Sequence, residues 1–124
     1  MNLEDLVPPL ELCNNLPVGS FDNSVFGWRM SINYITGISE WNVVERSSGD
    51  VDCPAPTLAE IMFALVMLQD TDGKIHHPHL KWDHEAWTVD CYDRDYNVIE
   101  KRDVVNPATA ALKLWLEIRK EAEK

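Results

Sequence analysis

Two segments of this chain carry complete signals for starting a helix, and they constrain the fold more than any other feature. Thr57 is followed three residues later by Glu60, the spacing of a capping box in which each side chain bonds the other residue's backbone amide. Asn106 and Pro107 supply a capping side chain and a ring that suits the first helical position. Apolar residues at intervals of three and four follow both signals. The sequence therefore predicts one helix from about residue 57 and another from residue 107 towards the C-terminus.

Residues 25–32 and 87–92 alternate large apolar residues with smaller or polar ones, which is the pattern of half-buried strands. Residues 38–46 are predicted to pair with the first of these strands as a hairpin, and a further strand over about residues 96–101 follows the turn at residues 93–95. A shorter strand around Leu80 and Trp82 is expected before residues 87–92. We expect a short helix over residues 8–16 and a loop over residues 47–56. Short connections favour antiparallel pairing. The predicted class is α+β: a small antiparallel sheet with two main helices packed on one face and a short N-terminal helix.

Length and charge limit the function. A chain of 124 residues is expected to form a single compact domain over residues 1–124. The formal net charge of −10 argues against direct binding to nucleic acid, because phosphate backbones are bound by Lys and Arg. Residues 1–73 hold eleven acidic and two basic residues, whereas residues 74–124 hold ten and nine. Such a surface keeps a protein in solution, and it also suits a basic partner or an imitation of nucleic acid.

Cysteine usage and hydropathy indicate the cellular compartment in which the protein is expected. The three cysteines are odd in number and widely spaced, which favours reduced thiols over a disulfide framework or a zinc ribbon. The longest apolar run, residues 61–68, is far shorter than the ~20 residues that cross a bilayer. Glu4 and Asp5 stand where a secretory signal would carry positive charge. We therefore expect a cytoplasmic protein with no membrane partner.

Four histidines, at positions 76, 77, 79 and 84, lie within nine residues, and metal-ligand side chains gather there. His77 and His79 would share one face of an extended segment, and with Asp83 or His84 they could hold a metal ion. The spacing differs from helical metal motifs, and Pro78 interrupts any helix. A solvated loop with incidental histidines explains the same residues, so no cofactor is predicted.

The remaining motifs give no catalytic machinery. The chain has no nucleophile elbow and no glycine-rich nucleotide-binding pattern, so we expect no catalytic or cofactor-binding residues and do not expect an enzyme. Membership of the core explains most of the five tryptophans. Trp82, which lies between Lys81 and Asp83 in a polar stretch, is the tryptophan best suited to anchor a protein partner.

Two phrases of the sequence resemble those of small proteins encoded by bacteriophages and integrated prophages. They are Cys53-Pro54-Ala55-Pro56-Thr57-Leu58-Ala59-Glu60-Ile61 and Asn106-Pro107-Ala108-Thr109-Ala110-Ala111-Leu112-Lys113-Leu114-Trp115-Leu116. These phrases are structural, so the resemblance implies an origin and no activity. It implies a bacterial or phage accessory protein made in the cytoplasm.

Three functional hypotheses follow from the sequence. The first is a non-enzymatic phage or prophage accessory protein that binds an unknown protein partner or itself. The second is a metal-dependent hydrolase that uses residues 76–84. The third is an acidic nucleic-acid mimic that inhibits a host DNA-binding protein, which requires a row of carboxylates drawn from Glu4, Asp5, Glu11, Asp50 and Asp52.

Overall fold

A computed structural model of the protein describes residues 3–68 and 75–122. The chain divides into two compact units, Met1–Thr57 and Leu58–Lys124, and each is described by itself. The single domain expected over residues 1–124 stays a prediction. Within the described ranges, no helix is both long enough and apolar enough to cross a membrane.

The first unit is built around a long hairpin. After a 3-10 turn at Leu3–Leu6, its elements are α1 (Leu10–Cys13), β1 (Phe26–Ile32), β2 (Ser39–Glu45), a second 3-10 turn at Arg46–Ser48, and β3 (Cys53–Ala55). The strands form an antiparallel sheet in the order β2-β1-β3. The predicted N-terminal helix is shorter than expected, and β3 lies in the segment that was predicted to be loop.

Two local features fix this sheet. The carbonyl oxygen of the Asn33 side chain accepts hydrogen bonds from the backbone N–H groups of Ile35 and Thr36, which closes the β1–β2 turn. Gly27 lies where Val51 approaches β1, and a Cβ atom at Gly27 would come within 2.5 Å of the Val51 side chain. The absence of a side chain at Gly27 therefore allows the segment before β3 to reach the strand.

The second unit combines the two main helices with the other sheet. Its elements are α2 (Leu58–Met67), β4 (His76–Trp82), β5 (Trp87–Tyr92), β6 (Val98–Asp103) and α3 (Pro107–Ala122). The sheet is antiparallel in the order β4-β5-β6. Helix α3 lies against β5 and β6, and α2 contacts α3 and β4. The end of α2 that the sequence places at residues 70–73 lies outside the described residues.

Helix α3 begins as predicted and fills the interior of this unit. The Ala108 N–H donates a 2.8 Å hydrogen bond to the side-chain oxygen of Asn106, as expected of an N-cap. The buried apolar residues of the helix include Ala108, Ala110, Ala111, Leu112, Leu114, Trp115 and Ile118. On β5, Val89 and Cys91 are also buried. This apolar surface holds the second unit together.

The α+β class and the antiparallel pairing are confirmed. The prediction of one small sheet was wrong in number, because the strands form two sheets of three strands each. Alternation of apolar and polar residues indicates that a strand has one buried and one exposed face, but it does not specify which strands lie beside it in the sheet. The unpredicted β3 completes the first sheet, and β4 is longer than the short strand expected around Leu80 and Trp82.

Candidate protein-interaction surface

The histidine-rich segment forms the first part of β4, and its pairing is irregular. His76 lies opposite Tyr92 and His79 lies opposite Asp90, so two residues of β4 span the position of one on β5. This is a β-bulge, and His77 within it has a positive φ of 51°. The expectation that His77 and His79 share a face depended on regular alternation, which the bulge interrupts.

The other proposed metal ligands are engaged in the β4–β5 hairpin. The Asp83 carboxylate accepts hydrogen bonds from the N–H groups of Ala86 (3.0 Å) and Glu85 (3.3 Å) and from Arg102 Nη2 (2.9 Å). His84 lies in the same turn with a φ of 77°. His79 Nδ1 is 3.7 Å from an Asp90 carboxylate oxygen. Across residues 3–68 and 75–122, no three histidine, cysteine, aspartate or glutamate side chains are grouped so that they could hold a metal ion.

Hydrogen bonding also sets the protonation of Asp83. The Ala86 N–H, followed by the Glu85 N–H and the charge of Arg102, lowers the pKa of the Asp83 carboxyl from its ordinary value. Asp93 organises the β5–β6 turn similarly, and the backbone N–H of Asn97 is the main cause of its lowered pKa. Both carboxylates stabilise turns in their charged form.

The three cysteines are buried and free. Burial, with a smaller effect from Cys53, raises the pKa of the Cys13 thiol to about 12, and burial raises that of Cys91 to about 11. Burial and the neighbouring Asp52 also raise the pKa of Cys53. All three are therefore neutral thiols near pH 7, which is the opposite of what a cysteine nucleophile requires.

Trp82 occupies the end of β4 and is half exposed, as its sequence surroundings suggested. Its ring lies 5.2 Å from that of Trp87, directly across the strand pair. Trp82 therefore supports the hairpin through this ring contact and still has an open side. Its predicted role as a partner anchor stays a prediction.

The outer half of the β1–β2 hairpin carries an apolar surface that sequence reasoning did not single out. We call residues 30–41 the arm. Met30 lies directly opposite Trp41, and Trp28 lies opposite Val43. Opposed residues of antiparallel strands lie on the same face, as do alternate residues of one strand. One face of the hairpin therefore carries Trp28 and Val43 near its base, and Met30, Ile32 and Trp41 on the arm.

Exposure changes sharply along this face. Trp28 is 8% exposed and Val43 is 7% exposed, but Met30 is 45% and Trp41 is 39% exposed. At the tip, Ile35 is 96% exposed, and Tyr34 and Ile38 are also exposed. An apolar face that starts in the interior of the first unit thus continues into solvent. Contiguous exposed apolar surface of this kind is typical of a protein-binding site.

The base of the arm is held by the segment before β3. Strand β3 pairs only with residues 26–28 of β1. Beyond that point the Met30 N–H donates a 2.9 Å hydrogen bond to the Asp52 carboxylate, and the Asp52 N–H donates to the Trp28 carbonyl. The Asp52 side chain therefore ends the sheet on that side, and residues 31 and 32 extend past it.

The unit that carries the arm is acidic. Residues 1–57 hold eight acidic and two basic side chains, a net charge of −6. The carboxylates that would form the mimic's row are distributed over three places: Glu4 and Asp5 in the first 3-10 turn, Glu11 in α1, and Asp50 and Asp52 before β3. The Asp52 carboxylate accepts a hydrogen bond from the backbone N–H of Met30. The nucleic-acid mimic stays a hypothesis.

Comparisons of this chain with protein-family models, with curated proteins and with solved structures found no match. The geometry of the described residues is therefore the basis for a functional assignment. The first unit is acidic and carries the exposed apolar arm. The three cysteines of the protein are buried, neutral thiols, and the Asp83 carboxylate accepts hydrogen bonds within the β4–β5 turn.

Proposed function

We propose that this protein is a non-enzymatic accessory protein that acts by binding another protein through the apolar face of the arm. The single observation that carries the proposal is the continuous face on which buried Trp28 and Val43 give way to exposed Met30, Ile32 and Trp41. Fully burying one such side chain contributes about 1.5–3 kcal/mol. Covering the half-exposed side chains of the arm would stabilise a complex by about 1 kcal/mol each.

The charge of the first unit specifies the chemistry of the partner. With a net charge of −6 in residues 1–57, a partner surface with basic residues around an apolar groove is favoured, and an acidic one is repelled. Such rim charges act mainly on association, and salt screens them. Binding should therefore weaken as salt rises, while the apolar contact persists.

Phage or prophage origin is part of this proposal. It is supported by the resemblance of the segments around the starts of α2 and α3 to small phage proteins. In that setting the partner would be a bacterial or phage protein in the cytoplasm. A bacterial extract is thus the appropriate source from which to isolate it.

The test compares one double variant with a matched control. The partner is cross-linked from a bacterial extract, identified and purified, and its affinity is measured for the wild type, for Ile32→Ser combined with Ile35→Ser, and for Val18→Ser. Val18 is an exposed apolar residue outside the arm. We expect the double variant to lose about 2 kcal/mol of binding, which is roughly a thirtyfold weaker affinity, and the Val18 variant to bind normally.

Two results would overturn the proposal. Equal affinity of the double variant and the wild type would show that the arm is not the binding surface. Turnover in a broad hydrolase and phosphatase screen, abolished by changing one side chain, would show that the protein is an enzyme.

A further inference from the structure

The second unit shows how this chain covers the apolar face of a sheet. Helix α3 has sixteen residues and lies against β5 and β6. A helix suits this position because its backbone hydrogen bonds are made within the helix, so it can lie on an apolar face without burying unpaired polar groups. An extended segment on the same face would bury its N–H and C=O groups without partners. A single strand therefore pairs at the edge of a sheet, whereas a helix covers its face.

The first sheet has a much shorter cover. Strands β1 and β2 have seven residues each, about 23 Å of extended chain. Helix α1 has four residues, which span about 6 Å. The Pro8 carbonyl accepts hydrogen bonds from the Trp28 indole N–H (3.3 Å) and the Cys13 S–H (3.5 Å), so this segment lies over the Trp28 end of the face. Met30 and Ile32 follow on the same face and are exposed. Among the described residues of this unit, the cover ends before the arm does.

An ion pair at the margin of the α3 contact indicates how charge accompanies such a cover. Lys113 Nζ of α3 lies 3.5 Å from a carboxylate oxygen of Asp103, the last residue of β6. At the edge of the arm's apolar face, the exposed Asp52 carboxylate accepts the Met30 N–H through one oxygen. A basic side chain placed on a covering helix as Lys113 is placed on α3 would reach that carboxylate.

We propose that the arm binds a basic amphipathic helix of the partner, which lies along the face carrying Met30, Ile32 and Trp41 and presents a Lys or Arg to Asp52. The inference rests on the proposed function and deepens it by naming the form and charge of the bound segment. The apolar side of this helix is the floor of the partner's groove, and its basic residues are the rim.

The dimensions of the arm suit one helix. Two strands that each occupy about 4.8 Å make a face about 10 Å wide, which is close to the diameter of a helix. From Met30 to Ile35 at the tip the face is about 17 Å long, which a helix of about eleven residues spans. An isolated helix of that length is marginal in water. The segment therefore gains helix content when it binds.

Three synthetic peptides of identical composition test the proposal. Each has about fourteen residues, with the same numbers of leucine, alanine, lysine and glutamine. Apolar residues recur at i, i+3, i+4 and i+7 in the first, at every second position in the second, and without a period in the third. In fluorescence anisotropy the first should bind at least about tenfold more tightly than the others. Its helix content, followed by circular dichroism, should rise on binding.

Several outcomes of the peptide series would overturn the inference. Equal affinity of all three peptides would mean that net charge alone attracts them. Binding of the alternating peptide as tight as that of the helical one would mean that the arm takes a strand. A wild-type protein that binds none of the three, or binds the helical peptide without a gain in helix content, would equally reject the helix.

Matched variants of the protein test where the helical peptide lies. Asp52→Asn keeps an acceptor oxygen for the Met30 N–H but removes the charge, and it should weaken binding about threefold at low salt. Glu11→Gln removes one charge from an exposed residue of α1 and should leave binding unchanged. Ile32→Ser combined with Ile35→Ser should weaken binding about tenfold. Thermal melts establish that the variants are folded. Equal affinities across the variants would contradict the placement on the arm.

These outcomes are distinguishable from failure of the proposed function. The Ile32→Ser and Ile35→Ser variant is tested against the purified partner whatever the form of the bound segment. If it loses the partner while the helical peptide binds no better than the aperiodic one, the helix is rejected and the arm stands. If it keeps the partner, the arm itself is rejected.

Discussion

The apolar faces of the two sheets differ in how much of each is buried. In the second unit, the sixteen-residue helix α3 lies against β5 and β6, and side chains such as Leu112 and Val89 have no exposed surface. In the first unit, the face shared by β1 and β2 is covered near Trp28 and open at Met30. The same alternating pattern therefore serves stability in one unit and is available for recognition in the other.

The largest expected effect on the free energy of unfolding is in the second unit. Leu112→Ala removes a fully buried side chain from α3 and should lower the free energy of unfolding by about 2–5 kcal/mol, through lost burial and the cavity that remains. Met30→Ala on the arm is the comparison, and it should cost much less because Met30 is half exposed. Urea denaturation of both variants measures the difference. Equal losses would mean that the arm is part of a core.

The next effect concerns the cap of α3. Asn106→Ala removes the acceptor for the Ala108 N–H and should cost about 0.5–2 kcal/mol. Asn106→Asp, which keeps an acceptor oxygen, is the control and should recover most of the loss. Thermal unfolding checks both variants. A loss as large in the aspartate variant as in the alanine variant would mean that the cap is not the stabilising feature.

Acid should weaken the two units differently. The lowered pKa values of Asp83 and Asp93 mean that their charged forms stabilise the second unit above the ordinary carboxyl value of 3.8 and that this stability is lost as pH falls through the lower folded values. The arm's turn uses the uncharged side chain of Asn33 and has no such dependence. Asp83→Asn should therefore be less stable near neutral pH and lose less stability on acidification. A parallel pH profile for variant and wild type would contradict this.

The turns and caps show how much of the fold the sequence predicts. Asn106 and Pro107 are local signals, and the helix starts where they predict because capping depends on adjacent residues. The strands over residues 26–32 and 87–92 were found from alternation. Strand β3 was missed because Pro54 and its three-residue length resemble a loop. The division into two sheets could not be predicted, since a strand's neighbours depend on distant residues.

The candidate site was harder to predict for a physical reason. Met30, Ile32 and Trp41 were correctly assigned to strands, and their alternation indicates a covered face. Alternation cannot show where the buried part of this face ends and the exposed part begins. That position depends on the length of β3 and on Asp52, whose carboxylate accepts a hydrogen bond from the Met30 N–H. One sequence feature could have indicated this exposed surface: the apolar residues Tyr34 and Ile35 lie in a turn, where polar residues are usual.

The smallest expected effect on stability is at the tip of the arm. Ile35→Ser changes a side chain that is almost fully exposed, so the free energy of unfolding should change by no more than about 0.5 kcal/mol. The same substitution should weaken partner binding, and this contrast separates recognition from folding. Differential scanning fluorimetry measures the first quantity. A loss of stability comparable to that of Leu112→Ala would show that Ile35 has a structural role.

Hydroxyl-radical footprinting with mass spectrometry tests the central claim most directly, since it compares exposed aromatic and sulfur-containing side chains of both units in one sample. We predict that Met30, Tyr34 and Trp41 become protected when the purified partner is bound, while Trp82 and Tyr96 of the second unit keep their reactivity. Protection of Trp82 and Tyr96 with an unchanged arm would contradict the account and would place the binding surface on the second sheet.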